Sequence, residues 1–266
     1  MPYILLIIYL AAALALQLLT GSFPVSFMAF PLNLIFFVIW LAGMLWIWRA
    51  GRRSLFVRFI LSPGATFTAI GLLLAAVLVM GFTGWRWVAS TWVFVALMLY
   101  FQTVLLFVIL RGWREATAAD ARLGAVRWRF VFLHVGLLVA VASAFWGAPD
   151  SETQRVKAER GNQLKEFVLE FSPEGAPSMF KAVVDIDGED VELKVNHPYK
   201  RRFGEDVYLL SYDASATVGE EVRYCVLQIV KEPWKYGAAA GIVMMLAGAL
   251  MLFVGGPRRN ASNDWE

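Results

Sequence analysis

Six long runs of apolar residues divide the chain, and short polar segments separate most of them. The runs cover residues 4–20, 28–48, 64–82, 88–110, 130–147 and 236–254, and none contains Asp, Glu, Lys or Arg. Because a helix rises about 1.5 Å per residue, roughly 20 apolar residues cross a hydrocarbon layer about 30 Å thick. The pattern therefore predicts a polytopic α-helical membrane protein with about six transmembrane helices.

The first run has a second interpretation, as a cleaved signal sequence. The stretch AAALALQ holds small residues at a spacing typical of a cleavage site. A signal sequence also carries a basic segment before its apolar core, and this run has none. We therefore expect the run to be retained as a transmembrane helix.

Between the fifth and sixth runs the pattern changes to short, partly alternating segments. These segments are LKEFVLEF, MFKAVVDI, DVELKV, DVYLLSY and VRYCVLQIV, and Asp187-Gly188 between the second and third is typical of a tight hairpin. The chain is thus predicted to contain a membrane domain of five helices (1–147), a small, mainly antiparallel β domain (148–235), a last helix (236–256) and a tail (257–266). These strands suit a domain that receives something at the outer face, and they suit a simple cap with no ligand equally well.

Composition and charge agree with this organisation and predict an orientation. Hydrophobic residues make up 59% of the chain and charged residues 17%. The arginines concentrate between the second and third runs (Arg49, Arg52, Arg53, Arg58), around the loop between the fourth and fifth (Arg111, Arg114, Arg122, Arg127, Arg129) and after the sixth (Arg258, Arg259). The positive-inside rule therefore predicts cytoplasmic termini and an extracytoplasmic β domain.

The tryptophans give an independent indication of the same orientation, because aromatic residues collect at both membrane interfaces. One group lies at the predicted inner ends of the helices and another at the predicted outer ends. The inner group is Trp46, Trp48, Trp113 and Trp128, and the outer group is Trp85, Trp87, Trp146 and Trp234.

The predicted β domain holds 17 of the 21 acidic residues and 12 of the 24 basic ones, which gives it a net charge of −5. This charge argues against a nucleic-acid partner. The domain also holds Cys225, the single cysteine of the chain. One thiol cannot form an internal disulfide, and the alternation in VRYCVLQIV favours a buried structural cysteine over a reactive one.

His134 is the only histidine within the six runs, which makes it a candidate functional residue. It lies about 20 Å from Gly147 along a helix axis, and thus in the inner third of the membrane. A neutral imidazole in apolar surroundings is a good axial ligand for haem iron. A hydrogen bond to a neighbouring helix, for instance to Gln102, explains the residue equally well. The residue alone leaves both interpretations open.

A single membrane histidine limits a haem site, because a transmembrane b-type haem usually has two axial histidines. Any second ligand would have to come from a partner chain. His197, the other histidine, lies in the predicted outer domain beside a proline and is expected to be a surface residue. The sequence shows no glycine-rich phosphate loop, no cluster with metal-ligand spacing and no CxxCH motif.

Three stretches together resemble a known family. They are WRFVFLHVGLLVAVASAFWG, with a histidine shortly before Gly-Leu-Leu; VELKVNHPYKRRFGEDVYLLSYD, with a Val-Asn-x-Pro segment before a tyrosine-containing strand; and VLQIVKEPWKYGAAAGIVMMLAGALMLF, with a charged-Pro turn before a glycine-rich helix. Over about residues 64–256 the chain resembles the ResB (CcsB-like) family of System II cytochrome c biogenesis proteins. The outer domain is shorter than in many members of the family.

The resemblance implies a haem-handling subunit of the bacterial cytoplasmic membrane. It would move haem b in transit to the outer face with a CcsA-type WWD-domain membrane protein, for attachment to a CxxCH apocytochrome c. His134 would be an axial ligand of the haem iron, and Asn196, Pro198 and Tyr208 would be structural residues. The chain lacks a WWD segment of its own, so it is not expected to be active alone.

The sequence leaves two other functions open. One is a non-catalytic membrane scaffold or assembly protein, and the other is a haem-sharing subunit of a quinol-oxidising electron-transfer complex. For the haem-handling function, the last helix carries Gly237, Gly241 and Gly248, and this small-residue face is expected to help hold the partner protein.

Overall fold

The computed structural model describes residues 2–51, 54–117, 121–171, 177–213 and 221–254. The helices within these ranges are α1 (Pro2–Thr20), α2 (Leu32–Ala50), α3 (Leu55–Ile60), α4 (Pro63–Thr83), α5 (Trp92–Thr117), α6 (Ala121–Gly147) and α7 (Lys235–Val254). All except the short α3 are long and apolar enough to cross a membrane. The prediction of a polytopic helical protein with six membrane helices is therefore confirmed, and the chain is a multi-pass membrane protein.

Two helices begin later than the apolar runs predict. The run 28–48 starts in a short 3₁₀ turn at Ser26–Met28, and α2 begins only at Leu32, directly after Pro31. The run 88–110 starts in a second 3₁₀ turn, Arg86–Ser90, and α5 begins at Trp92 and continues to Thr117. Thr91 marks this start, because its Oγ1 accepts a hydrogen bond from Phe94 N at 3.1 Å.

The structured chain divides into two compact units, Met1–Pro149 with Tyr236–Glu266, and Asp150–Lys235. In the first unit α5 is the central helix and packs against α1, α4 and α6. Of the α5 membrane window 61% is buried, compared with 11% for α1, α2, α4 and α7. The rest of the described chain therefore leaves most of the apolar surface of these four helices uncovered.

Helix α7 packs closely against α6 through small residues. A Cβ on Gly241 would lie 2.5 Å from Ala140 N and 2.6 Å from Gly136 O, and one on Gly237 would lie 2.4 Å from Ser143 Oγ. A Cβ on Gly248 would lie 2.8 Å from Leu133 Cγ. The expectation that this face holds a partner helix is therefore wrong, because the face is covered by α6 of the same chain.

The second unit is a pair of antiparallel sheets that share one apolar core. Its strands are β1 (Glu152–Glu159), β2 (Leu164–Phe171), β3 (Pro177–Ile186), β4 (Glu189–Lys194), β5 (Tyr199–Lys200), β6 (Glu205–Tyr212) and β7 (Tyr224–Lys231). One sheet has the order β1-β7-β6-β5 and the other β2-β3-β4. The core contains fully buried side chains from both sheets, among them Val184, Leu193 and Cys225.

The five predicted strands are present as β2, β3, β4, β6 and β7, so the predicted β domain is confirmed. Asp187 and Gly188 have φ values of 56° and 85° and join β3 to β4, as expected of a two-residue hairpin turn with positive φ at both positions. Strands β1 and β5 were not predicted. Seven of the eight β1 residues are exposed and only Ala158 is buried, so β1 carries no apolar alternation.

The orientation in the membrane stays a prediction. Trp113 and Trp128, both assigned to the inner interface, are in edge-to-face contact with centroids 4.9 Å apart, so these two residues do lie at one level. Several other positions used to predict the orientation lie outside the described residues or have undescribed side chains. Arg52, Arg53 and the tail 257–266, with Arg258 and Arg259, lie outside the described residues. Arg122 and Arg127 lie on α6, but their side chains are not described.

Candidate functional site

His134 lies on α6 at the wall of an apolar cavity of about 480 Å³. Helices α4 and α5 form most of the wall and α6 contributes two residues. The lining residues are Thr66, Ala69, Ile70, Leu73, Leu74 and Val77 of α4, Phe101, Val104, Leu105 and Val108 of α5, and His134 and Leu137 of α6. The volume is within the range of about 300–1,000 Å³ that is typical of small-molecule and cofactor pockets.

The imidazole of His134 is held by its own helix. Its Nδ1 is 2.7 Å from Phe130 O, one helical turn earlier, and its ring centroid is 3.8 Å from that of Phe130. A carbonyl oxygen only accepts hydrogen bonds, so Nδ1 donates and carries the proton of the neutral ring. The lone pair is then on Nε2. Metal-binding histidines commonly have this arrangement, with one nitrogen bonded to a carbonyl and the other available to the metal.

The alternative interpretation, a hydrogen bond between His134 and Gln102, is contradicted by the structure. Gln102 is completely buried, and its Oε1 accepts a hydrogen bond from Trp146 Nε1 at 3.1 Å. Its Nε2 donates to Met98 O at 3.2 Å. The Gln102 amide therefore bonds to α6 through its oxygen and to α5 through its nitrogen. His134 bonds to Phe130 instead.

One wall of the cavity is open to the surroundings of the helices. Ile70, Leu74 and Val77 on α4 are 48–53% exposed, although they line the cavity. Among the lining residues, all of which lie in the described part of the chain, His134 is the only side chain that commonly ligates haem iron. A second axial ligand would therefore have to come through the open wall.

A second apolar cavity, of about 560 Å³, lies along the other half of α5. Its lining includes the indole rings of Trp40, Trp92 and Trp146 and the amide of Asn33. Asn33 is only 1% exposed, and its Nδ2 donates to Trp146 O at 2.9 Å. Trp146 in turn reaches Gln102, so a buried polar network joins α2, α5 and α6.

Asn33 was not identified from the sequence as a residue of interest. The signal that could have identified it was an amide side chain inside the apolar run 28–48, because a polar residue in lipid needs a partner. The network it forms is structural. It connects three helices at the end of the membrane unit opposite to His134.

The remaining predicted residues lie in the β domain, in the other compact unit. His197 is exposed, as expected of a surface residue, and its backbone N–H donates to Lys194 O at 3.1 Å. Asn196 has a φ of 63°, which agrees with a turn residue. Cys225 is fully buried, and burial raises the pKa of its thiol from 9.0 to about 11. Within the described ranges no group of three or more His, Cys, Asp or Glu residues could hold a metal ion.

Comparison with known proteins gives one structural likeness. A scan against models of known protein families gives no match, and a search of curated proteins gives none. Among solved structures the chain resembles the cytochrome c heme lyase CcmF, with a TM-score of 0.40 and 13% sequence identity, over 68% of this chain and 34% of that one. The chain thus spans about a third of that protein's length. The resemblance to the ResB family rests on the three sequence stretches.

Proposed function

We propose that the chain is a haem-handling subunit of a System II cytochrome c biogenesis complex, with His134 Nε2 as one axial ligand of the haem iron. The observation that carries this proposal is the imidazole at the wall of an apolar cavity, with Nδ1 bonded to Phe130 O at 2.7 Å. The three sequence stretches that resemble the ResB family support the same function.

The residues around His134 are suited to haem b in transit. The Phe130 carbonyl fixes the tautomer and orientation of the imidazole, which keeps the Nε2 lone pair available to iron. Side chains of α4 and α5 surround the imidazole with apolar groups that exclude water. Bound haem would supply the vinyl groups that end in thioether bonds to the cysteines of a CxxCH apocytochrome c.

The open wall of the cavity supports a site shared with a second membrane protein. Ile70, Leu74 and Val77 stay exposed beside the cavity, and the lining offers no iron ligand other than His134. A CcsA-type WWD-domain protein that packs on α4 would close the wall and contribute the second ligand. In this proposal the chain is a subunit of the haem lyase complex and does not act alone.

The direction of transport follows from the predicted orientation. With both termini in the cytoplasm of a bacterial cell, His134 lies nearer the cytoplasmic face of the cytoplasmic membrane. The β domain then lies on the outer side, where apocytochrome c is matured. His134 would receive haem from the inner side and hold it before it passes outward.

A maturation assay tests this function, and the second histidine of the chain supplies a matched control. The chain, a CcsA-type partner and a reporter apocytochrome c are co-expressed in cells without their own maturation system, and covalent haem is measured by haem staining. We expect His134→Ala to abolish maturation and His197→Ala to leave it intact, with both variants present in the membrane. Normal maturation by His134→Ala would reject the role of His134 and leave a scaffold function.

A further inference from the structure

One aromatic side chain of the β domain combines full exposure with an unfavourable backbone. Phe203 is 85% exposed and has a φ of 59°, in the left-handed region that bulky residues rarely adopt. It lies at the tip of the loop between β5 and β6, where Arg201 N donates to Glu205 O at 2.8 Å. Backbone conformations of this kind persist where the surroundings fix them, and they concentrate at functional surfaces.

The surroundings of Phe203 place it beside the chain segment that leads into the last membrane helix. The neighbouring Gly204 accepts a hydrogen bond from Glu232 N at 2.9 Å, and a Cβ on Gly204 would lie 2.9 Å from Pro233 Cα. Helix α7, the last membrane helix, begins two residues later at Lys235. Because consecutive Cα atoms are 3.8 Å apart, Pro233 lies within about 8 Å of the start of that helix.

The segment that follows α6 is the second connection between the β domain and the membrane helices, and it lies at the same end of the domain. Trp234 Nε1 donates to Asp150 Oδ2 at 2.6 Å, and Asp150 follows the end of α6 by three residues. Lys235 Nζ is ion-paired with Asp206 of β6. The loop that carries Phe203 therefore lies at the end of the domain where both connections to the membrane helices meet.

The charge of this loop is opposite to that of its domain. Lys200, Arg201 and Arg202 form the longest run of consecutive basic residues in the chain, although residues 148–235 have a net charge of −5. Arg201 is paired with Asp187 and Glu205, which fixes the base of the loop. Lys200 and Arg202, on either side of Arg201 in the sequence, have exposed side chains.

We propose that residues 200–204, the 200–204 turn, dock the β domain onto the lipid bilayer. Phe203 inserts into the interfacial layer, and Lys200 and Arg202 bind the phosphate groups of anionic phospholipids. An exposed aromatic ring beside basic side chains is the combination that holds peripheral segments at a bilayer surface. The docking would limit the movement of the β domain relative to the membrane. The proposal does not depend on the proposed role of His134.

Spin labelling tests this proposal, because the single native cysteine can be removed. A nitroxide is attached at Phe203→Cys in the full chain with Cys225→Ala, reconstituted alone into phosphatidylcholine vesicles with or without phosphatidylglycerol. Collisions with oxygen, which concentrates in lipid, are compared with collisions with a water-soluble nickel chelate. The matched control is Asn162→Cys, in the exposed turn after β1. The start of β1 pairs Glu152 with Lys231, next to the Glu232 that contacts Gly204, whereas its end pairs Glu159 with Tyr224. Asn162 thus lies at the opposite end of the sheet.

We expect the label at position 203 to have a severalfold higher ratio of oxygen to nickel collisions than the label at 162 in phosphatidylglycerol vesicles. The double substitution Lys200→Gln and Arg202→Gln should lower the ratio at 203, whereas Lys157→Gln and Arg160→Gln, with the same charge change, should not. Equal ratios at 203 and 162 would overturn the proposal. So would shielding of 203 that develops only when a partner protein is added, which would make the turn a protein-binding surface.

Discussion

His134 and His197 differ in their surroundings, and the surroundings give them different chemistry. The imidazole of His134 is half-buried at an apolar cavity and is oriented by Phe130 O, whereas His197 is exposed in a polar turn. A histidine within a membrane-spanning helix is a candidate functional residue. The bond from Nδ1 to the carbonyl one turn earlier could not be read from the sequence, because it depends on the side-chain rotamer.

The cavity beside His134 can be filled without touching the histidine. Ile70→Trp adds bulk at the open wall, and we expect it to weaken haem binding at least about tenfold, or about 1.4 kcal/mol. Ile242→Trp is the matched control, because Ile242 is also 50% exposed but lies on α7 and does not line the cavity. Haem titration of the purified complex measures the effect. Equal affinities for the two variants would contradict the assignment of the cavity.

Cys225 should resist alkylation in the folded protein. Burial raises the pKa of its thiol to about 11, so the reactive thiolate is scarce at pH 8. The unfolded chain ionises this thiol near pH 9, so its contribution to stability is complete below pH 9 and is lost as the pH rises toward 11. Mass spectrometry after iodoacetamide treatment at pH 8 should show labelling only when the chain is denatured. Rapid labelling of the folded chain would contradict the buried position.

At the scale of elements, the contact between α6 and α7 depends on Gly136 and Gly241. We expect Gly241→Ala to destabilise the folded chain by about 1–3 kcal/mol, because the new Cβ would overlap the backbone of α6. Gly71→Ala in α4 is the control, since nothing lies within 4 Å of its Cβ position. That control should be neutral or more stable by up to about 1 kcal/mol. Thermal unfolding in detergent measures both variants, and equal Tm values would refute the close packing.

The elements divide into those that the sequence predicts and those that it does not. The six membrane helices and β2, β3, β4, β6 and β7 carry long apolar runs or alternating patterns, and all are present. Strand β1 has no such pattern, because seven of its eight residues are exposed and it is held by its pairing with β7. Helix α3 has only six residues and was not predicted, although Ser54 Oγ caps it by accepting a hydrogen bond from Val57 N at 3.2 Å.

The candidate site shows the same division. His134 was identified because a histidine in an apolar run is rare, and the prediction that it sits among apolar side chains agrees with the cavity. Its suggested partner Gln102 was wrong, because a polar residue in a membrane helix predicts a hydrogen bond but not the partner. The network of Asn33, Gln102 and Trp146 depends on how three helices pack, which no local pattern records.

At the scale of the whole molecule, the predicted orientation gives each polar segment a side of the membrane. We expect alkaline phosphatase inserted at Asn162 to be active, because it would be outside the cytoplasm, and a fluorescent protein fused after Glu266 to fluoresce in the cytoplasm. A matched insertion of alkaline phosphatase after Glu266 should be inactive. The reverse pattern would invert the proposed direction of haem transport and place His134 nearer the outer face.

The most direct test of the central claim is an absorption spectrum of the chain purified with its CcsA-type partner. We predict a Soret band for the wild type and for His197→Ala, and its loss or shift for His134→Ala. Added imidazole should restore the band in the His134→Ala complex, because it can replace the missing axial ligand. An unchanged Soret band in His134→Ala, or an intact wild-type complex without haem, would contradict the assignment of His134 as a haem ligand.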